Sequence, residues 1–128
     1  MLVIPTYLAD SPIQGTGVFA AENVQKGSTV WIFDHRVDRI IRPDDVGDLP
    51  AHVIDFLDKH AWLDNNGYWR IGIDNDKFTN HSDNPNVGPY RDMNSMTVAL
   101  RDIAKGEEIT EDYSQFSDVK RQCGIDFE

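Results

Sequence analysis

Two polar stretches hold most of the chemical capacity of this chain. Asn80-His81-Ser82-Asp83-Asn84-Pro85-Asn86 gathers amides, an imidazole, a hydroxyl and a carboxylate, and Gly106-Glu107-Glu108-Ile109-Thr110-Glu111-Asp112-Tyr113 ends an acidic run on a phenol. Composition alone makes the first a polar surface loop, because Asn, Asp, Ser and Pro each favour turns, and the second an acidic strand end. Metal binding by His81 and Asp83 with Asp74 and Asp76 is poorly supported. Asp74-Asn75-Asp76-Lys77-Phe78-Thr79 lacks the glycine at the sixth position of a calcium loop, and His35, His52 and His60 lack the spacing to complete a tetrahedral zinc site with His81. Ser11, Ser82 and Ser114 lack the setting of a hydrolase nucleophile. Asn80-His81-Ser82 also matches the glycosylation sequon, which is accidental in a chain showing no export signal.

The elements that must position these residues are short. Val3–Leu8 is a β-favouring run closed by the turn cluster Asp10-Ser11-Pro12, and Gly15-Thr16-Gly17 runs into a strand through Ala20. Further strands are expected at Thr29–Phe33, Val37–Ile41 and Met96–Leu100, with turns at Val24–Gly27 and Ile103–Gly106. Pro43-Asp44-Asp45 opens a short helical turn. Over residues 50–61, Val53, Phe56, Leu57 and Ala61 share one face of a helix whose first turn suits Pro50. Trp62–Ile71 reads as a hairpin whose Asn66-Gly67 pair fits a two-residue primed turn. No repeat or linker interrupts the chain. The result is one mostly β domain of many short strands with a helical insertion.

Taken together and in order, the glycine turn within Ser11–Ala20, the Asn80–Asn86 run and the Gly106–Tyr113 run resemble the SET domain, over roughly Ile13 to Tyr113. The glycine turn alone is weakly specific; the other two in combination are strongly so. The resemblance implies several short-stranded sheets with a knot-like C-terminal core, in which the Gly106–Tyr113 segment passes beneath the Asn80-His81-Ser82 loop. It implies a division into N-terminal strands (1–42), a helical insertion (43–67), a C-terminal core (68–116) and a tail (117–128). The activity implied is methyl transfer from S-adenosylmethionine to a lysine amine of a protein, histone or histone-like. The competing reading is a SET-like module that binds peptide or cofactor without turnover; retention of Tyr113, Asn80, His81 and both glycines argues against it.

The same resemblance assigns roles. Gly15, Thr16 and Gly17 would line the cofactor pocket, where a residue without Cβ lets backbone approach a ligand. Asn80 would hold the cofactor's amino-acid portion, since a primary amide offers donors and an acceptor. His81 would meet the adenine chiefly through its backbone. Tyr113 would stand where the sulfonium methyl meets the lysine nitrogen, aligning the two rather than acting as a strong base. A lysine ammonium must first lose a proton, and its ordinary pKa of about 10.4 falls in a desolvated channel beside a like charge. Glu107, Glu108 and Asp112 are expected to be structural or surface carboxylates. Tyr68, Tyr90 and Phe116 are candidates for the walls of the lysine channel.

One departure limits the resemblance. Asp83 stands where many members carry a zinc-binding cysteine, and Cys123 is the chain's single cysteine. A small stand-alone, viral- or bacterial-type member without the zinc segment is implied, with no metal. Phe116, Val119, Ile125 and Phe127 of the tail are left to close the channel, and such members can form homodimers.

Composition bounds the partners. Among 128 residues, hydrophobic content is 40% and charged content 27%, ordinary values for a globular domain. A net charge of −10 argues against a nucleic-acid surface, which needs clustered cations, and suits a basic protein or peptide. Acidity for solubility alone explains it equally well. Met1–Pro5 lacks a basic leader region, no stretch approaches the ~20 apolar residues of a membrane span, and the lone cysteine fits a reducing compartment; a cytoplasmic location is expected.

Overall fold

A computed structural model describes residues 1–64, 66–90 and 92–115. In chain order the strands are β1 (Thr6–Asp10), β2 (Thr16–Ala20), β3 (Thr29–Ile32) and β4 (Asp38–Ile41), followed by helix α1 (Ala51–His60). Then come β5 (Trp62–Leu63), β6 (Trp69–Gly72), β7 (Asn80–His81), β8 (Val87–Tyr90), β9 (Asp92–Ala99) and β10 (Thr110–Glu111). Single turns of 3-10 helix cover Pro43–Asp45, Asn75–Phe78 and Tyr113–Gln115. The mostly β reading holds.

Four small sheets result. β1 and β2 form an antiparallel pair with Leu8 opposite Val18. β9 lies between β3 and β8, and β6 lies between β4 and β5, all antiparallel. β7 and β10 pair in parallel, Asn80 beside Thr110 and His81 beside Glu111. Where the sheets meet, Val18, Val30, Val87, Ala99, Ile103 and Ile109 form the core. Each fully buried aliphatic chain contributes about 1.5–3 kcal/mol of transfer free energy.

Local physics explains where the strands differ from expectation. β1 starts at Thr6 rather than Val3, because Pro5 has no N–H to offer a ladder; Val3 N–H instead reaches the Val30 carbonyl at 2.8 Å. Pro50 precedes α1 as its cap residue and is not in its first turn. The β5–β6 hairpin is not a two-residue primed turn. Gly67 N–H closes on Asp64 O at 3.1 Å and Asp64 N–H on Tyr68 O at 2.9 Å, a three-residue connection with Gly67 at φ 82°. The buried Asp64 carboxylate organises it, accepting from the Asn66 and Tyr68 amides and from Arg70 Nε at 2.9 Å. The Arg70 guanidinium lies over the Phe33 ring at 4.7 Å. Trp62–Leu63 thus belong to a sheet, and within the 43–67 segment helix α1 occupies Ala51–His60.

Candidate active site

The parallel pairing of β7 and β10 brings the two chemical stretches side by side. Ser82 N–H extends the ladder to the Glu111 carbonyl at 2.8 Å. Beyond it, Asn86 is 1% exposed and works as a staple between the stretches. Its Nδ2 donates to the Glu108 carbonyl at 2.7 Å, and its Oδ1 accepts the Thr110 amide at 2.9 Å. A buried amide satisfied on both sides fixes one register, because leaving either partner unpaired is costly.

The glycine turn joins at a carboxylate. Glu108 accepts from Ser11 Oγ at 2.8 and 2.9 Å, and from Asn80 Nδ2 at 2.9 Å. Asn80 Nδ2 also donates to the Gln14 carbonyl at 3.1 Å. Two acceptors flanking one nitrogen fix the orientation of this amide. Glu108 is therefore the hub of all three motifs. The two glycines have different reasons to be glycine. Gly15 takes φ 48°, where a side chain is strained. A Cβ on Gly17 would collide with Glu108 Oε2, so the close approach there includes a carboxylate of the chain itself. Thr16, between them, is exposed at the mouth of a cleft.

Tyr113 is oriented from two sides. Its amide donates to His81 Nδ1 at 3.0 Å, so Nδ1 is the acceptor nitrogen and Nε2 carries the proton toward Asp83 Oδ1 at 2.9 Å. The His81 ring stands 5.3 Å from the Tyr113 ring. The tyrosine hydroxyl donates to the Thr79 carbonyl. Burial, then the charges of Glu111 and Asp76, push the phenol well above its ordinary range. It is a neutral, fixed dipole at physiological pH and not a base. Asp112 goes the other way: the Ser114 hydroxyl at 2.6 Å holds its carboxyl down.

These residues line a cleft of about 910 Å³. Gln14, Gly15 and Thr16 lie on one wall, Asn80, His81, Glu111 and Tyr113 on a second, and Asp58, His60 and Trp62 of the α1–β5 segment on a third. Tyr68 and Tyr90 are not among the lining residues; they are 37% and 47% exposed, on the hairpin loop and at the end of β8. Trp62 and Phe78 are aromatic residues that do line the cleft. Phe116 and the rest of the tail lie outside the described residues. His60 was not singled out from sequence; its Nδ1 meets the Lys77 carbonyl at 3.0 Å and its ring contacts Phe56 and Phe78. No trio of His, Cys, Asp or Glu among the described residues is arranged to hold a metal.

The profile that describes the SET domain matches residues 15–114. The chain belongs to the SET-domain family. SET domains are in general protein-lysine methyltransferases. The histone-lysine N-methyltransferase trr of Drosophila melanogaster is 29% identical over 124 residues, covering 84% of this chain. This SET domain spans only 5% of trr. Among solved structures, Polycomb Repressive Complex 2 of Chaetomium thermophilum bound to S-adenosylmethionine superimposes with a TM-score of 0.65 at 20% identity, over 92% of this chain and 16% of that one. A candidate histone methyltransferase of Plasmodium falciparum gives 0.59 at 22% identity, over 86% of this chain and 93% of that one. At such identities the likeness is one of fold.

The residues of this SET domain fit the family's cofactor. With both Nδ2 hydrogens of Asn80 committed to Gln14 and Glu108, its Oδ1 is the atom left to accept, which suits an ammonium better than a carboxylate. Four carboxylates line the cleft (Asp55, Asp58, Asp76 and Glu111) against two lysines, Lys59 and Lys77. Such a wall favours a ligand carrying positive charge.

Proposed function

We propose that this SET domain is an S-adenosylmethionine-dependent methyltransferase acting on a lysine side chain of a basic protein, histone or histone-like. The observation that carries the reading is the convergence of three separate sequence motifs on Glu108 and on one cleft, with Tyr113 fixed at its inner wall. Bound there, S-adenosylmethionine supplies an electrophilic methyl group on a sulfonium. Asn80 Oδ1 would accept its ammonium, and the exposed Gln14–Thr16 turn would cover its other side.

In-line displacement asks for alignment and exclusion of water more than for proton transfer by the enzyme. Tyr113 meets that demand. Its backbone is tied to His81 and its hydroxyl to Thr79, so neither can turn away when a lysine enters. The raised phenol pKa keeps it neutral, so it adds no anion that would pair with the sulfonium. His81 acts through its side chain as the support of Tyr113, in addition to any backbone contact with adenine.

Labelled S-adenosylmethionine and a core-histone mixture, with Tyr113→Phe in parallel, test the reading. Label should appear on lysine, and Tyr113→Phe should lose about 10²-fold or more while still binding cofactor, as for removal of one preorganised polar group. Cofactor binding with no labelled lysine would favour a binding module instead. Failure to bind cofactor would remove both readings.

A further inference from the structure

Two carboxyl groups stand beside Tyr113 in the cleft, and alignment of the reactants has no use for them. Asp76 sits on the 3-10 turn Asn75–Phe78, with its Oδ1 3.5 Å from Thr79 Oγ1. The same Thr79 accepts the Tyr113 hydroxyl through its carbonyl. Glu111 is two residues before Tyr113, on β10. Strand alternation sends Thr110 into the core and Glu111 to the other face, where it lines the cleft with Asp76. No described residue donates a hydrogen bond to the Glu111 carboxylate. Burial, then the charge of Asp76, push its carboxyl well above the ordinary range. A fold does not gain stability from two half-buried carboxyls that repel each other, since a buried polar group without a partner costs free energy. A cationic ligand would relieve both the repulsion and the missing hydrogen bonds.

We propose that Glu111, backed by Asp76, is the specificity residue for the cationic end of the substrate, receiving the lysine amine beside Tyr113. This rests on the methyltransferase reading of the cleft. The reacting cofactor is also a cation, so the carboxylate has two candidate partners, and the direction of charge flow separates them. The seated ammonium first releases its proton to water; the N–C bond then forms as the S–C bond breaks with its electron pair going to sulfur, and the positive charge passes from sulfur to nitrogen. A carboxylate against sulfur would stabilise charge that is being lost and so raise the barrier. Against nitrogen it stabilises charge that is developing, which lowers the barrier. Glu111 therefore belongs to the amine.

The test uses n-butylammonium as probe, with n-butanol as the uncharged control, titrated by NMR into the protein saturated with S-adenosylhomocysteine. Shifts should saturate, centre on the backbone of residues 110–113 and on Asp76, and be absent with n-butanol. Glu111→Gln should weaken the probe by about tenfold or more, and Glu111→Asp much less, while affinity for S-adenosylhomocysteine stays within about twofold. Equal response to n-butanol, or shifts in the wild type away from residues 110–113, overturns the proposal. So does a Glu111→Gln variant that binds the amine normally but loses the preference for S-adenosylmethionine over S-adenosylhomocysteine, which would place the carboxylate on sulfur. A wild type that binds the amine through Glu111 yet labels no lysine refutes turnover and leaves this assignment standing. Lysine labelling with equal amine binding by wild type and Glu111→Gln refutes this assignment alone.

Discussion

Alanine at Gly15 and at Gly17 separates two kinds of demand on a backbone. At Gly15 nothing lies within 4 Å of the place an added methyl would take, but φ is 48°, so the substitution costs about 1 kcal/mol of backbone strain. At Gly17 the methyl would press on the Glu108 carboxylate and come within 3.0 Å of Ser11 Cβ. Glu108 must then move, and Asn80 loses the acceptor that orients it. Gly17→Ala should cost about 1–3 kcal/mol and weaken cofactor binding, measured by chemical denaturation and calorimetry; equal stabilities for the two variants would refute the hub role of Glu108. Asp76 gives a second test. Burial, then the Asp74 charge, push its carboxyl up to about 7 from an ordinary 3.8. The folded state therefore holds more protons than the unfolded chain between those values, and stability declines as pH rises through them. Glu111 acts in the same direction. The melting temperature should be higher near pH 5 than near pH 7.5, and Asp76→Asn should flatten that slope; a flat wild-type profile would refute it. Asp112, held down by Ser114, costs stability only at more acid pH.

Asn86 belongs to the scale of elements, because its single side chain sets the relation of β10 to the segment after β7. Asn86→Ala would leave the Glu108 carbonyl and the Thr110 amide buried without partners, a loss of about 2–4 kcal/mol. Native-state hydrogen exchange should then show the Thr110 and Ser82 amides losing protection ahead of the β8–β9 pair, and uniform loss across the domain would contradict the staple. Neither Asn86 nor Glu108 could be given these roles from sequence. Their partners lie 22 and 97 residues away, and hydrogen bonds at such range leave no local pattern. The motifs that hold Tyr113 and Asn80 were legible because their order and spacing carry the family resemblance. β8 has no clear signature in the sequence because Val87-Gly88-Pro89-Tyr90 contains two residues that weaken strands; it forms an edge strand, where proline is tolerated. That Tyr68 and Tyr90 do not line the cleft was hidden for a different reason. Residue type says that an aromatic can wall a channel, but only the fold decides which face it occupies.

At the scale of the whole molecule, the net charge of −10 is compatible with solubility alone or with a basic partner. The cleft bears on that choice, because Asp55 and Asp58 of α1, Asp76 and Glu111 all line it. Charge of one sign along a concave surface focuses the field on whatever enters. A lysine-rich substrate should therefore be drawn in over distances comparable with the Debye length, about 10 Å at 0.1 M salt and about 3 Å at 1 M. Raising ionic strength from about 0.05 to about 0.5 M should lower kcat/KM on core histones roughly tenfold, with kcat little changed, because screening slows encounter and leaves the aligned complex intact. Sucrose at matched viscosity separates slowed diffusion from screening. If kcat falls in parallel with kcat/KM, salt is acting on the amine already seated at Glu111 and Tyr113. If neither falls, the acidity of this chain serves solubility and does not recruit substrate.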